Sequence, residues 1–155
     1  MSHRLRPVEP DFAETAPLRL VFAAEIAAPP AAVYTALAGD VAGWSHWFTW
    51  VAGAAPTAGG LGRQVRLTGG AWFTETVLAA EAGEHYVCRA EATNVPGMLA
   101  LLEDWRLVPA GGGTRVRWLC AADGRPAFRF ALTLARPALG RAFRASMHAL
   151  DRYVG

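Results

Sequence analysis

Residues 18–51 carry an alternating apolar strand into a double proline, a short helical stretch and an aromatic cluster. Leu20, Phe22, Ala24 and Ile26 alternate with Arg19, Val21, Ala23 and Glu25, the pattern of a strand with one face in a core. Pro29 and Pro30 end it, because proline cannot donate to a ladder and suits a first helical turn. Residues 31–38 are rich in helix formers and stop at Gly39-Asp40. Trp44, His46 and Trp47 then fall on a second short helix.

The middle of the chain reads as consecutive strands. Residues 53–62 are loop-like, with Pro56, Gly59 and Gly60. Beyond them, Arg63, Val65 and Leu67 alternate with Gln64, Arg66 and Thr68, and Gly69-Gly70 marks a hairpin. Residues 71–80, 85–93, 99–108 and 114–122 are further strands, antiparallel because their connections are short. Alternation puts Leu101, Glu103, Trp105 and Leu107 on one face, and Val116, Trp118 and Cys120 on one face of the next strand. If the tryptophans agree, Glu103 points inward and Asp104 lies outside near Arg115 or Arg117. A one-residue slip before Leu101 reverses this and leaves Glu103 in water. Residues 126–153 form a long helix with a stripe of Phe128, Leu132, Ala135, Leu139, Phe143, Met147 and Leu150. Pro137 predicts a kink or restart. Residues 1–17, with three prolines, read as a flexible lead-in to one domain over 18–155.

The run Ile26-Ala27-Ala28-Pro29-Pro30-Ala31-Ala32-Val33-Tyr34, then Asp40, then Trp44 with Trp47, resembles the opening of the START-like superfamily, also called SRPBCC, which includes polyketide cyclases. The stretch Gly111-Gly112-Gly113-Thr114-Arg115-Val116-Arg117-Trp118 resembles a second element of that group. The resemblance extends from about Leu18 to Tyr153. It implies an α+β helix-grip fold: a curved antiparallel sheet wrapped around a long C-terminal helix, with two short helices after the first strand. It also implies a ligand cavity between sheet and helix, and two functions. One is binding or transport of a small hydrophobic molecule, such as a lipid, quinone or polyketide-like compound. The other is aldol cyclisation and dehydration of a polyketide-like substrate in the same cavity.

A cyclase needs an acid or base in the pocket. Glu103 and Tyr86 are the candidates, with Thr74 and Thr76 as orienting hydroxyls. Arg89 is a possible anion holder, although alternation sets it opposite Tyr86. Trp72, Trp105, Trp118, Phe128, Phe143 and Met147 are the candidate ligand-lining residues; they serve equally to fill a core. His46, His85 and His148 read as polar surface groups.

Composition removes several classes. A net charge of +2 is too small to argue for nucleic acid, and all fifteen basic residues are Arg. Residues 125–155 carry six Arg and one acid, a basic helical face suited at most to transient membrane-surface contact. No apolar run reaches the ~18 residues of a span. Three acids among the first 20 residues argue against a secretory signal, so a cytoplasmic location is expected. Cys88 and Cys120 lack metal-ligand spacing and are expected to be buried and unbridged. No phosphate loop or nucleophile elbow is present, and no cofactor is implied. Exposed edge strands leave a monomer or a homodimer open.

Overall fold

The computed structural model describes residues 1–155. It begins with a two-residue strand, β1 (His3–Arg4), and one helical turn, α1 (Phe12–Thr15). Then come β2 (Leu18–Ile26), α2 (Pro30–Tyr34), a π-helical turn over Thr35–Gly39 and a 3-10 turn over Val41–His46. Six strands follow: β3 (Val51–Thr57), β4 (Gly62–Leu67), β5 (Trp72–Glu81), β6 (His85–Thr93), β7 (Met98–Ala110) and β8 (Gly113–Gly124). The chain closes with α3 (Pro126–Val154).

All the strand pairs are antiparallel, in the order β2-β8-β7-β6-β5-β4-β3, with β1 alongside β6. The curved sheet grips α3, as the helix-grip expectation has it. The β7–β8 turn works because Gly111 and Gly112 take φ of 55° and 84°, where a side chain is strained. On the inner face Trp105, Trp118, Phe22 and Phe143 pack ring against ring, with Trp44, Trp47 and Phe48 added from the 3-10 turn and its exit. Met147 and Leu150 complete this core from α3.

Four sequence expectations are corrected. Residues 53–62 are largely not loop: residues 51–57 form edge strand β3, where Pro56 is tolerated because one side needs no donor. Helix α3 runs through Pro137 as one element, without a restart. Residues 1–17 are not a free lead-in. Val8, Phe12 and Ala13 pack on the outer face against Val87, Ala100, Leu102, Leu119 and Ala121. Asp104 is buried there too, and its partner is His85 (Nε2 to Oδ1, 2.9 Å), with Arg106 at 3.5 Å, rather than Arg115 or Arg117.

Candidate functional site

Cross-strand register assembles a polar row on the inner face. Arg63 of β4 lies directly opposite Glu75 of β5. Glu103 of β7 lies between Cys88 of β6 and Cys120 of β8. A bulge between Met98 and Ala100 precedes Leu101, so the inward phase of Leu101, Glu103, Trp105 and Leu107 is kept.

Arg63 is the centre of the row and only 1% exposed. Its Nε donates to Glu75 Oε1, and its Nη2 reaches Glu103 Oε1 at 3.4 Å. Trp118 Nε1 donates to Glu103 Oε2 at 2.9 Å. The guanidinium lies 4.2 Å from the Trp44 ring centre and 5.3 Å from that of Tyr86, a cation–π setting. Nη1 has no hydrogen-bond partner in the protein. Two carboxyls thus share one guanidinium, and a proton on one of them balances the charge where solvent screening is weak.

Burial pushes the Glu103 carboxyl up to about 8; the neighbouring Glu75 carboxylate adds to the rise, against the opposing pull of Arg63 and the Trp118 N–H. Glu103 is therefore largely protonated at neutral pH; its proton is shared with Glu75, and a carbonyl oxygen in the cavity would compete for it. Burial lowers Arg63's hold on its proton, but Cys88, Glu75 and Glu103 together more than reverse this. Burial also raises Tyr86, and it pushes the Cys88 thiol up to about 12. Cys120 is raised for the same reason. Neither thiol resembles an activated nucleophile. No trio of His, Cys, Asp or Glu converges on a metal-sized position.

Beside this row lies a partly open cavity of about 150 Å³. Glu75 and Glu103 are the charged groups in its wall; the rest is apolar. Trp44, Phe48 and Trp50 close one end, Leu67, Phe73, Met98, Leu101, Trp118 and Cys120 come from the sheet, and α3 adds the half-buried Leu132 and Leu139.

Of the residues singled out by sequence, Glu103 and Trp118 line this cavity. Tyr86 is buried close by, under Arg63, and is not in the wall. Trp105, Phe143 and Met147 are core packing. Phe128 belongs to a separate surface groove with Val95, Pro96 and Leu132. Trp72, Thr74 and Thr76 are misplaced: Phe73 and Glu75 take the inner face of β5, so their neighbours point to the other side. Thr74 there donates to Gln64 at 2.9 Å. Arg89 is also outside, bound to Glu9 and Glu91. His46 is exposed beside the Tyr153 ring, and His148 is exposed on α3. Arg63 and Glu75 were not among the candidates. The signal for Arg63 was its phase, since it alternates in step with Val65 and Leu67.

A family model described as polyketide cyclase/dehydrase and lipid transport matches residues 17–155. An uncharacterized protein of Mycobacterium tuberculosis is 29% identical over 148 residues, covering 92% of this chain and 87% of that protein. Among solved structures, the Zhui aromatase/cyclase of a Streptomyces species superposes with a TM-score of 0.72 at 14% identity, over 88% of this chain and 93% of that one. A START superfamily protein from Mycobacterium smegmatis gives 0.67 at 13% identity, over 88% and 96%. At such identities the likeness of these structures is one of fold.

Proposed function

The chain belongs to the polyketide cyclase/dehydrase and lipid transport family, and on that premise we propose that it binds a small hydrophobic molecule with one ring in the inner cavity and one polar group at Glu103. The observation that carries this reading is the wall itself: apolar throughout except for two carboxyls held by a buried arginine. The volume sets the scale. Cavities of about 150 Å³ lined by apolar side chains accept a benzene ring, so a longer ligand must leave most of its length outside. The carboxyl pair disfavours a carboxylate ligand through like-charge repulsion in a low dielectric. A neutral hydrogen-bond acceptor is favoured, because protonated Glu103 can donate to it.

Titration with acetophenone and ethylbenzene, followed by tryptophan fluorescence, tests this directly, since Trp44, Trp50 and Trp118 line the cavity. Saturable one-to-one binding is expected, tighter for the ketone at pH 6, with that preference fading above pH 8 as Glu103 loses its proton. No saturable binding of either compound overturns the reading. Native mass spectrometry of protein from its own host then identifies the ligand.

A second reading, aldol cyclisation or dehydration, draws its support from the same protonated carboxyl. An acid whose pKa lies near the working pH is well matched to proton transfer. Glu103 serves here as the acid, and Arg63 with Glu75 orients it. Turnover of a poly-ketone that survives Glu103→Leu unchanged removes Glu103 as its acid, and no turnover of any cyclisable poly-ketone by the wild type removes this reading and leaves binding.

A further inference from the structure

Strands β6 and β7 pair only from His85↔Arg106 to Arg89↔Leu102. Beyond that point they part, and the chain's own N-terminal segment enters the split. His3 and Arg4 pair with Thr93 and Ala92 of β6. The Leu5 N–H donates to Glu91 O at 2.9 Å, and the Arg6 N–H donates to Leu99 O of β7 at 2.8 Å. His3 Nε2 meets Met98 O at 2.8 Å, and Arg6 binds Asp123 at 3.1 Å. This segment bridges two strand edges that no other part of the sheet joins.

Leu5 points to the inner face and is 6% exposed. It packs with Phe73, Ala90, Met98, Leu101 and Ala122, and the half-buried Leu67, Cys120 and Leu132 adjoin the same cluster. Phe73, Met98, Leu101, Cys120 and Leu132 are cavity-lining residues. The segment lies outside residues 17–155, the part matched by the family model.

Resting on the ligand-binding reading of this cavity, we propose that residues 3–6 are a stave of its wall and that Leu5 is the residue that sets the size of ring admitted. Its side chain supports Phe73, Met98 and Leu101 from behind. Shortening it gives them room to retreat; enlarging it drives them into the cavity.

Titration calorimetry with toluene and 1-methylnaphthalene reads the selectivity. Leu5→Ala is expected to shift the affinity ratio toward the larger ring by about tenfold, and Leu5→Phe to shift it the other way. Phe12→Ala, which removes packing from the outer-face cluster and leaves Leu5 and the pairing of residues 3–6 in place, is expected to leave the ratio alone. A second readout needs no ligand: the rate at which methyl methanethiosulfonate modifies Cys120, located by peptide mass spectrometry. Leu5→Ala should raise that rate by about tenfold through local opening, with the circular dichroism spectrum unchanged. An unchanged ratio and rate in Leu5→Ala, or equal changes in Phe12→Ala, overturn the proposal while the ligand reading stands. Faster Cys120 modification with no ring compound bound by any variant supports the stave, and then the ligand reading falls together with the ring-size role.

Discussion

Glu103 combines burial, a neighbouring carboxyl and a shared guanidinium, and these have a consequence for folding. An unfolded glutamate titrates near 4.3; the folded one is held up to about 8. Between those values the folded state binds more protons than the unfolded state, so stability falls as pH rises, by at most about 1.4 kcal/mol per unit for one proton. The contribution is fully present below the unfolded value and levels off above about 8. Urea unfolding at pH 5, 6, 7 and 8 should show this decline in the wild type and a flatter profile in Glu103→Gln. Equal slopes in the two proteins would mean that Glu103 does not hold its proton. The inward placement of Glu103 was legible because a carboxylate recurring in phase with Leu101, Trp105 and Leu107 is visible in one dimension. Its environment was not. Arg63 and Glu75 sit on strands whose mutual register depends on bulges, and β5 offers two plausible faces, one with threonines and one with Phe73 and Glu75. Burial of Phe73 and Val77 together with the pairing of Glu75 to Arg63 favours the second face, and pairing is a property of two strands.

Helix α3 is tied down near its end by two carboxylates: Asp40 accepts from the Tyr153 hydroxyl at 2.7 Å, and Asp151 reaches back to the start of α2. Asp151 accepts the backbone N–H groups of Ala27 at 3.0 Å and Ala28 at 2.9 Å, in the turn that joins β2 to α2. The last turn of α3 is thereby tied to the start of α2. A hydrogen bond to a charged group contributes about 1.5–3 kcal/mol at best, and partial exposure reduces that. Asp151→Ala is expected to cost about 2 kcal/mol, a fall in Tm of about 4–8 °C for a domain of this size. Asp151→Asn keeps one oxygen and should lose about half as much. A Tm unchanged in Asp151→Ala would show that the packing of Phe143, Met147 and Leu150, with the Tyr153–Asp40 and Thr49–Ser146 hydrogen bonds, is enough to seat the helix. At this scale the strong periodicities were readable: β2, β7, β8 and the long helix stand close to where alternation and the apolar stripe put them. Edge strand β3 was hidden by Gly53, Pro56 and Gly59, which signal loop in isolation. The N-terminal segment was hidden by Pro7 and Pro10, although Leu5, Val8 and Phe12 recur at three- and four-residue steps. Those residues reveal a buried segment only once there is a sheet for them to lie on.

For the whole molecule, the central question is how much empty space the sheet and helix can keep between them. Left empty, a cavity of about 150 Å³ costs about 4 kcal/mol at ~24 cal/mol per Å³. A domain with about 5–15 kcal/mol of net stability tolerates that, whereas a fully hollow grip would not survive. The aromatic residues supply the compromise. Trp105, Phe143 and the rings from the 3-10 turn fill most of the space, and Trp118 divides the filled part from the cavity. Sequence composition could not decide between these uses of tryptophan, because filling depends on ring orientation. The same arithmetic predicts how a ligand acts on stability. At one hundred times its Kd, a compound that binds only the folded state adds about 2.7 kcal/mol, which for about 150 residues raises Tm by about 5–10 °C. Acetophenone at saturating concentration should produce that shift in the wild type and equally in Thr74→Val with Thr76→Val, whose side chains lie on the other side of β5. Glu103→Leu should reduce the shift for acetophenone more than for ethylbenzene, since only the ketone uses the carboxyl proton. A shift abolished by the threonine pair would place the ligand on the outer face of the sheet, the face that Val8, Phe12 and Ala13 cover in part, and the inner cavity would then have to be read as a packing defect.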